Sequence, residues 1–280
     1  MPIAFGFPAP RATEDIERVA RRLAGEGYQW LEVIAPKRLD PELEAVVRRS
    51  KDEIGLGVTV HAQVFDANLS VTHPVLREAA VRVHKLDLDF ASRIGATGVV
   101  VHGGVIGWTD YLPPDHPQYA ETLLTIENFR RAHQTALVTS IEELGDYAER
   151  LGLWIGVENL SCPQEMLTTP DELAGVLEKI SARSVGATLD FGHSLVAGQS
   201  PLDYVSRLGS RIKHLHVHDN DGQYDVHLPI RELRKDWAAA LELLNSSPTP
   251  IVAILEVLTP ETDHLSSSLR AVRRGMRLEE

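Results

Sequence analysis

Short runs of aliphatic and β-branched residues alternate along this chain with longer stretches in which apolar positions recur every three to four residues. Eight runs have the length and composition of strands: IAFGF (3–7), WLEVIA (30–35), GVTVHA (57–62), GVVVHG (98–103), WIGVEN (154–159), GATLDF (186–191), KHLHVHD (213–219) and VAILEV (252–257). Between them lie stretches with the helical period, among them EDIERVARRLAGEG, PELEAVVRRSKDEI, PVLREAAVRVHKLDLDFASRIG, SIEELGDYAERLG, PDELAGVLEKI and RELRKDWAAALELL. Gly25, Gly95 and Gly152 stand where helices would end on a left-handed cap. Nearly continuous apolar strands belong to parallel sheets covered on both faces. The pattern predicts an α/β protein of repeated βα units, a (β/α)8 TIM barrel forming a single domain over residues 1–280. A doubly wound open sheet has a similar pattern. The irregular stretch from Trp108 to Pro117 follows the fourth strand and would sit on the catalytic face of a barrel, where it could form a lid.

Length and composition narrow the picture further. A chain of 280 residues suits one barrel of about 250 residues. No apolar run is long enough to span a membrane, and the N-terminus has no basic region leading into an apolar one, so a cytoplasmic location is the expectation. The single cysteine, Cys162, excludes an internal disulfide and a cysteine-based metal cage. A formal net charge of −12 disfavours nucleic acid as a partner, because phosphate contacts need clustered Lys and Arg. A small molecule is the expected partner, and a homodimer is compatible with the sequence.

The chemistry lies where the strand candidates end. One after another they finish in a side chain able to hold a metal: His61, His102, Glu158, Asp190, His216 and Glu256. On a barrel these ends converge on one face. A carboxylate in an apolar strand is costly to bury unless it is paired, hydrogen-bonded or bound to a cation, and Glu158 and Glu256 both carry that cost. In HLHVHDNDGQYDVHLP, strand alternation puts His214, His216 and His218 on one face. His216 is the expected ligand, with His218 and Asp219 around it or against substrate and His214 deeper in the barrel. Asp225 and His227 could grip a further ion together with His193. Carboxylate mixed with imidazole suits manganese or zinc first, with cobalt, iron or magnesium as alternatives.

VVVHGG, GVENL, ATLDFGHS, HVHDND and AILEV resemble the strand-end motifs of the xylose isomerase-like barrel superfamily, which includes sugar phosphate isomerases and epimerases and the endonuclease IV-like AP endonucleases of family 2. The resemblance covers nearly the whole chain. Its tagatose epimerase branch implies one divalent ion held by Glu158, Asp190, His216 and Glu256, with Glu158 and Glu256 also shuttling a proton and His193 binding substrate. His102, His218 and Asp219 join His193 as candidate substrate contacts. The endonuclease IV pattern implies additional ions on His61, His102, His193, Asp225 and His227. The chain departs from that pattern in three places: IAFGFPAP lacks the histidine-containing glycine-rich first loop, NLSCPQEM follows Glu158, and LPIRE follows His227.

The leading expectation is therefore a divalent-metal-dependent isomerase or epimerase of a sugar, sugar phosphate or polyol-derived ketone, working by proton transfer through a metal-stabilised enediolate. The alternative is a multi-zinc phosphodiesterase acting on abasic DNA or another phosphate ester.

Overall fold

The computed structural model describes residues 3–63, 66–107, 115–258 and 264–277. Eight strands run parallel in chain order: β1 (Ile3–Pro8), β2 (Trp30–Ile34), β3 (Gly57–His61), β4 (Gly98–His102), β5 (Trp154–Glu158), β6 (Val185–Asp190), β7 (Ile212–His216) and β8 (Ile251–Ile254). β8 pairs with β1, so the sheet closes into a barrel and the open-sheet alternative is set aside.

The helices are α1 (Thr13–Gly25), α2 (Pro41–Arg49), α3 (Pro74–Arg93), α4 (Tyr119–Leu151), α5 (Pro170–Leu177), α6 (Phe191–Val196), α7 (Pro201–Leu208), α8 (Lys235–Asn245) and α9 (His264–Gly275). Local chemistry starts several of them. Asp40 accepts from the Leu43 amide at 2.9 Å ahead of Pro41, and Thr169 accepts from the Glu172 amide at 3.2 Å ahead of Pro170. Each satisfies a donor that the first helical turn leaves unpaired, and proline tolerates that position because it has no amide to lose. The apolar faces of these helices close over the outer face of the barrel in one continuous core.

Several boundaries differ from the sequence reading. β7 ends at His216 rather than Asp219, and β8 ends at Ile254, so Glu256 lies two residues beyond its strand. Pairing nevertheless continues past both ends, with Val217 donating to the Ile254 carbonyl at 2.9 Å and Glu256 donating to that of Val217 at 3.1 Å. Gly152 and Gly95 take the left-handed conformation as expected, whereas Gly25 stays in α1 and Gly27, at φ +90°, makes the turn. α4 begins at Tyr119, far earlier than the SIEELGDYAERLG stretch suggested, because the apolar residues of its first turns, among them the exposed Leu123, Leu124 and Phe129, form no continuous buried stripe. Trp108 and Tyr111 of the expected lid lie outside the described residues. His116 stands at the entrance to α4, where its carbonyl and Nδ1 accept from the Tyr119 and Gln118 amides. Among the described residues no helix is long and apolar enough to cross a membrane.

Candidate metal centre

Five strand ends, those of β3 to β7, and the segment just past β8 deliver polar side chains to one end of the barrel. Glu158, the last residue of β5, is fully buried, and its Oε1 lies 2.7 Å from His216 Nδ1. The same nitrogen is 3.2 Å from Glu256 Oε2 and 3.8 Å from Asp190 Oδ2. One donor atom from each of Glu158, Asp190, His216 and Glu256 lies within 4.8 Å of the others. Glu158 Oε2 is 3.1 Å from His102 Nε2 and 3.5 Å from His61 Nε2, yet among the described residues it accepts no well-directed hydrogen bond and is orphaned in the interior.

Asp190 divides its two oxygens between structure and site. Oδ1 caps α6 by accepting from the His193 amide at 2.7 Å, and Oδ2 faces His218 Nε2 at 3.1 Å. Its backbone is pinned by Asn159, whose side-chain amide accepts from the Asp190 N–H at 2.7 Å and donates to its carbonyl at 2.9 Å. That arrangement lengthens the β5–β6 pairing by one side chain and fixes where the carboxylate points.

Beside this group lies a second, nearer the mouth. His193 Nδ1 donates to the Asn159 carbonyl at 2.9 Å, and His227 Nδ1 donates to that of Glu256 at 2.9 Å. A carbonyl can only accept, so each Nδ1 carries a proton and each Nε2 is directed inward. Both Nε2 atoms lie 3.1 Å from the same oxygen, Asp225 Oδ2. His61 follows the same plan, with Nδ1 on the Ala62 carbonyl at 3.0 Å and Nε2 toward Glu158. His227 reaches its place from a left-handed backbone, φ +47°, a conformation that costs a non-glycine residue energy and is held by its surroundings. Its ring stacks on that of His218 at 3.9 Å. Gly192 makes room for this pair, since a Cβ there would stand 2.1 Å from the His218 ring.

The charges are strongly coupled. Burial raises the Glu158 carboxyl, but His216 and His102 outweigh it and hold it well below the usual carboxylate range. Burial likewise opposes charge on His61 and His227, yet Glu158 and Asp225 respectively lead the effects that push each up to about 9. Crowded carboxylates thus draw protons onto neighbouring imidazoles. A divalent cation meets the same demand, and the inward-aimed imidazole nitrogens, carboxylate oxygens and orphaned Glu158 Oε2 form a donor set that fits one.

The residues singled out from the sequence meet here with one exception. Asp219 turns its carboxylate away to Arg234, 3.0 Å distant. One residue that sequence reasoning missed stands at the base of the cluster. Glu32, 3% exposed on β2, has Oε1 2.8 Å from His216 Nε2 and Oε2 3.0 Å from His214 Nε2, and accepts from Thr59 Oγ1 at 2.9 Å. Burial raises its carboxyl, but His216 and His214 hold it well below the usual range. The signal was present, because a carboxylate interrupts the apolar strand WLEVI just as Glu256 interrupts AILEV.

The model of the family described as xylose isomerase-like TIM barrel matches residues 20–277. Protein MJ1311 of Methanocaldococcus jannaschii is 29% identical over 242 residues, 83% of this chain and 74% of that one. Fructoselysine 3-epimerase of Escherichia coli O157:H7 is 22% identical over 239 residues, 79% of this chain and 80% of the enzyme. Among solved structures, a D-tagatose 3-epimerase-like protein superposes with a TM-score of 0.79 at 23% identity, covering 98% of this chain and 97% of its own.

Proposed function

The chain belongs to the xylose isomerase-like TIM barrel family, and from that premise we propose that it is a divalent-metal-dependent isomerase or epimerase of a sugar, sugar phosphate or polyol-derived ketone. The observation that carries the reading is the convergence of Glu158, Asp190, His216 and Glu256, from the ends of β5, β6 and β7 and from just past β8, within 4.8 Å. The similarity to fructoselysine 3-epimerase supports the sugar class. When bound, a divalent ion, manganese or zinc in first place, supplies Lewis-acid polarisation of a carbonyl and a neighbouring hydroxyl.

The protein's own residues move the proton. Glu256 turns Oε2 toward His216 and keeps its other oxygen for substrate, and Glu158 keeps Oε2 free of directed hydrogen bonds. One glutamate takes the carbon-bound proton and the other returns it. His102, His193 and His218 border the cluster and hold substrate hydroxyls. The test is turnover of candidate ketoses in deuterated water. Deuterium at the reacting carbon is the expected result, and a carbon left unlabelled would point to hydride transfer or hydrolysis.

A second reading, a multi-zinc hydrolase of a phosphate ester such as abasic DNA, is favoured by one observation. Asp225 with His193 and His227 makes a further donor set, and His61 and His102 with Glu158 make another. Multiple ions of that kind activate water and stabilise a leaving oxygen. Metal content per chain separates the readings: about one ion, unchanged by His227→Ala, favours the isomerase, whereas two or three with loss on substitution favours the hydrolase.

A further inference from the structure

We propose that Glu32 is a positioning residue of the metal centre: from inside the barrel it fixes the proton and the tilt of His216, so that Nδ1 is the atom presented to a cation. The inference rests on the metal reading above. It starts from topology. β2 has β1 and β3 as sheet neighbours, and β7 has β6 and β8, so the contact between Glu32 and His216 crosses the bore of the barrel.

A carboxylate can only accept. His216 Nε2, 2.8 Å from Glu32 Oε1, therefore carries a proton and donates it. Nδ1 is then the ring atom facing Glu158, Asp190 and Glu256, and its own proton, donated to Glu158 Oε1 at 2.7 Å, is the one a cation would displace. His214 repeats the logic one pleat deeper. Its Nδ1 has no hydrogen-bond partner among the described residues, so its proton sits on Nε2 and goes to Glu32 Oε2. Thr59 donates to the same oxygen from the residue paired with Glu32 in the sheet. Thr59 and His214 thus hold the carboxylate in place, and the carboxylate holds His216. Metal-binding histidines commonly keep their second nitrogen on such an acceptor, which sets both the tautomer and the ring orientation. A glutamine at this position offers one acceptor and one donor to two imidazole N–H groups. One of the two rings must then turn or move its proton, and a proton moved to His216 Nδ1 blocks the lone pair a cation needs.

The experiment compares wild type and Glu32→Gln for zinc affinity by chelator competition, well below either unfolding transition. It also reads the ring protons of His216 by nitrogen-detected NMR. Glu32→Gln is expected to bind zinc about 10- to 100-fold more weakly, and Glu32→Asp, which keeps the charge but withdraws it, falls between the two. In wild type His216 Nε2 should be protonated with and without zinc, because only Nδ1 changes its partner on loading. Equal zinc affinity of wild type and a folded Glu32→Gln, or an unprotonated Nε2 in wild type, overturns the proposal. Should the variant not fold, the wild-type ring protons decide. Absence of zinc binding by wild type would instead sink the metal reading, while Nε2 protonation still tests Glu32.

Discussion

The tripeptide Leu-Glu-Val occurs at Leu31–Val33 and again at Leu255–Val257, and the two glutamates have opposite surroundings. Glu32 lies within β2, sealed from solvent, with Thr59, His214 and His216 all donating to it. Glu256 lies two residues past β8, 15% exposed, with one oxygen toward His216 and the backbone carbonyl held by His227. The same local sequence yields a fully satisfied anchor in one place and a partly unsatisfied, approachable carboxylate in the other. What differs is the side of the strand end, with Glu32 two residues before the end of β2 and Glu256 two residues past that of β8, and that difference separates the floor of the cluster, which holds geometry, from its mouth, which meets substrate.

The largest expected effect is at the mouth. Glu256→Gln should lower kcat on the order of 10²- to 10⁴-fold through loss of one proton-transfer group, with little change in the urea unfolding midpoint. A variant that turns over normally would break the division of labour. Next comes the floor. Glu32→Ala should destabilise the protein by about 3–5 kcal/mol in urea titration, because it strands buried histidine donors that faced a charge. A loss below about 1 kcal/mol would mean that those donors need no partner, and the anchor would lose its meaning.

A third setting, the wall behind the mouth, sharpens the contrast through pH. On α3, burial lowers His84 to about 4, and burial raises Asp87 to about 6, with the Gln63 amide giving only partial relief. His84 is therefore a source of stability lost as pH falls from 6.5 toward 4, where the unfolded chain takes up the proton first. Asp87 works the other way. Its raised value means that stability is lost as pH rises from 3.8 through about 6, and it opposes folding at neutral pH. Asp87→Asn should accordingly be more stable than wild type by about 2–3 kcal/mol at pH 7, with the gap closing by about pH 4. Parallel unfolding curves at both pH values would show Asp87 to be paired in solution.

The barrel and most of its cluster were legible because ionisable residues in apolar strands are expensive, so each one marks a place where something compensates. His61, His102, Glu158, Asp190 and His216 all fall within one residue of a strand end, and alternation put His214, His216 and His218 on one side. Glu32 carried the same signal, but it sits mid-strand rather than at a strand end, and its partners, from β3 and from β7 across the bore, stand in a relation that no local pattern carries. Asp219 was drawn to the cluster by its neighbours in sequence, but Arg234, fifteen residues on, captures it. The early start of α4 was hidden because the apolar side chains of its first turns do not line up on one face: Leu123, Leu124 and Phe129 are exposed, and only Ile126 and His133 are buried ahead of Leu137.

The contact across the bore has a consequence for how the barrel breathes. β2 and β7 share no backbone hydrogen bonds, so the sheet alone would let them open separately. Glu32 ties them like a rod through a cylinder. Amide protons of the two strands should therefore exchange with solvent as one cooperative unit, and cutting the rod should let the two strands exchange at different rates.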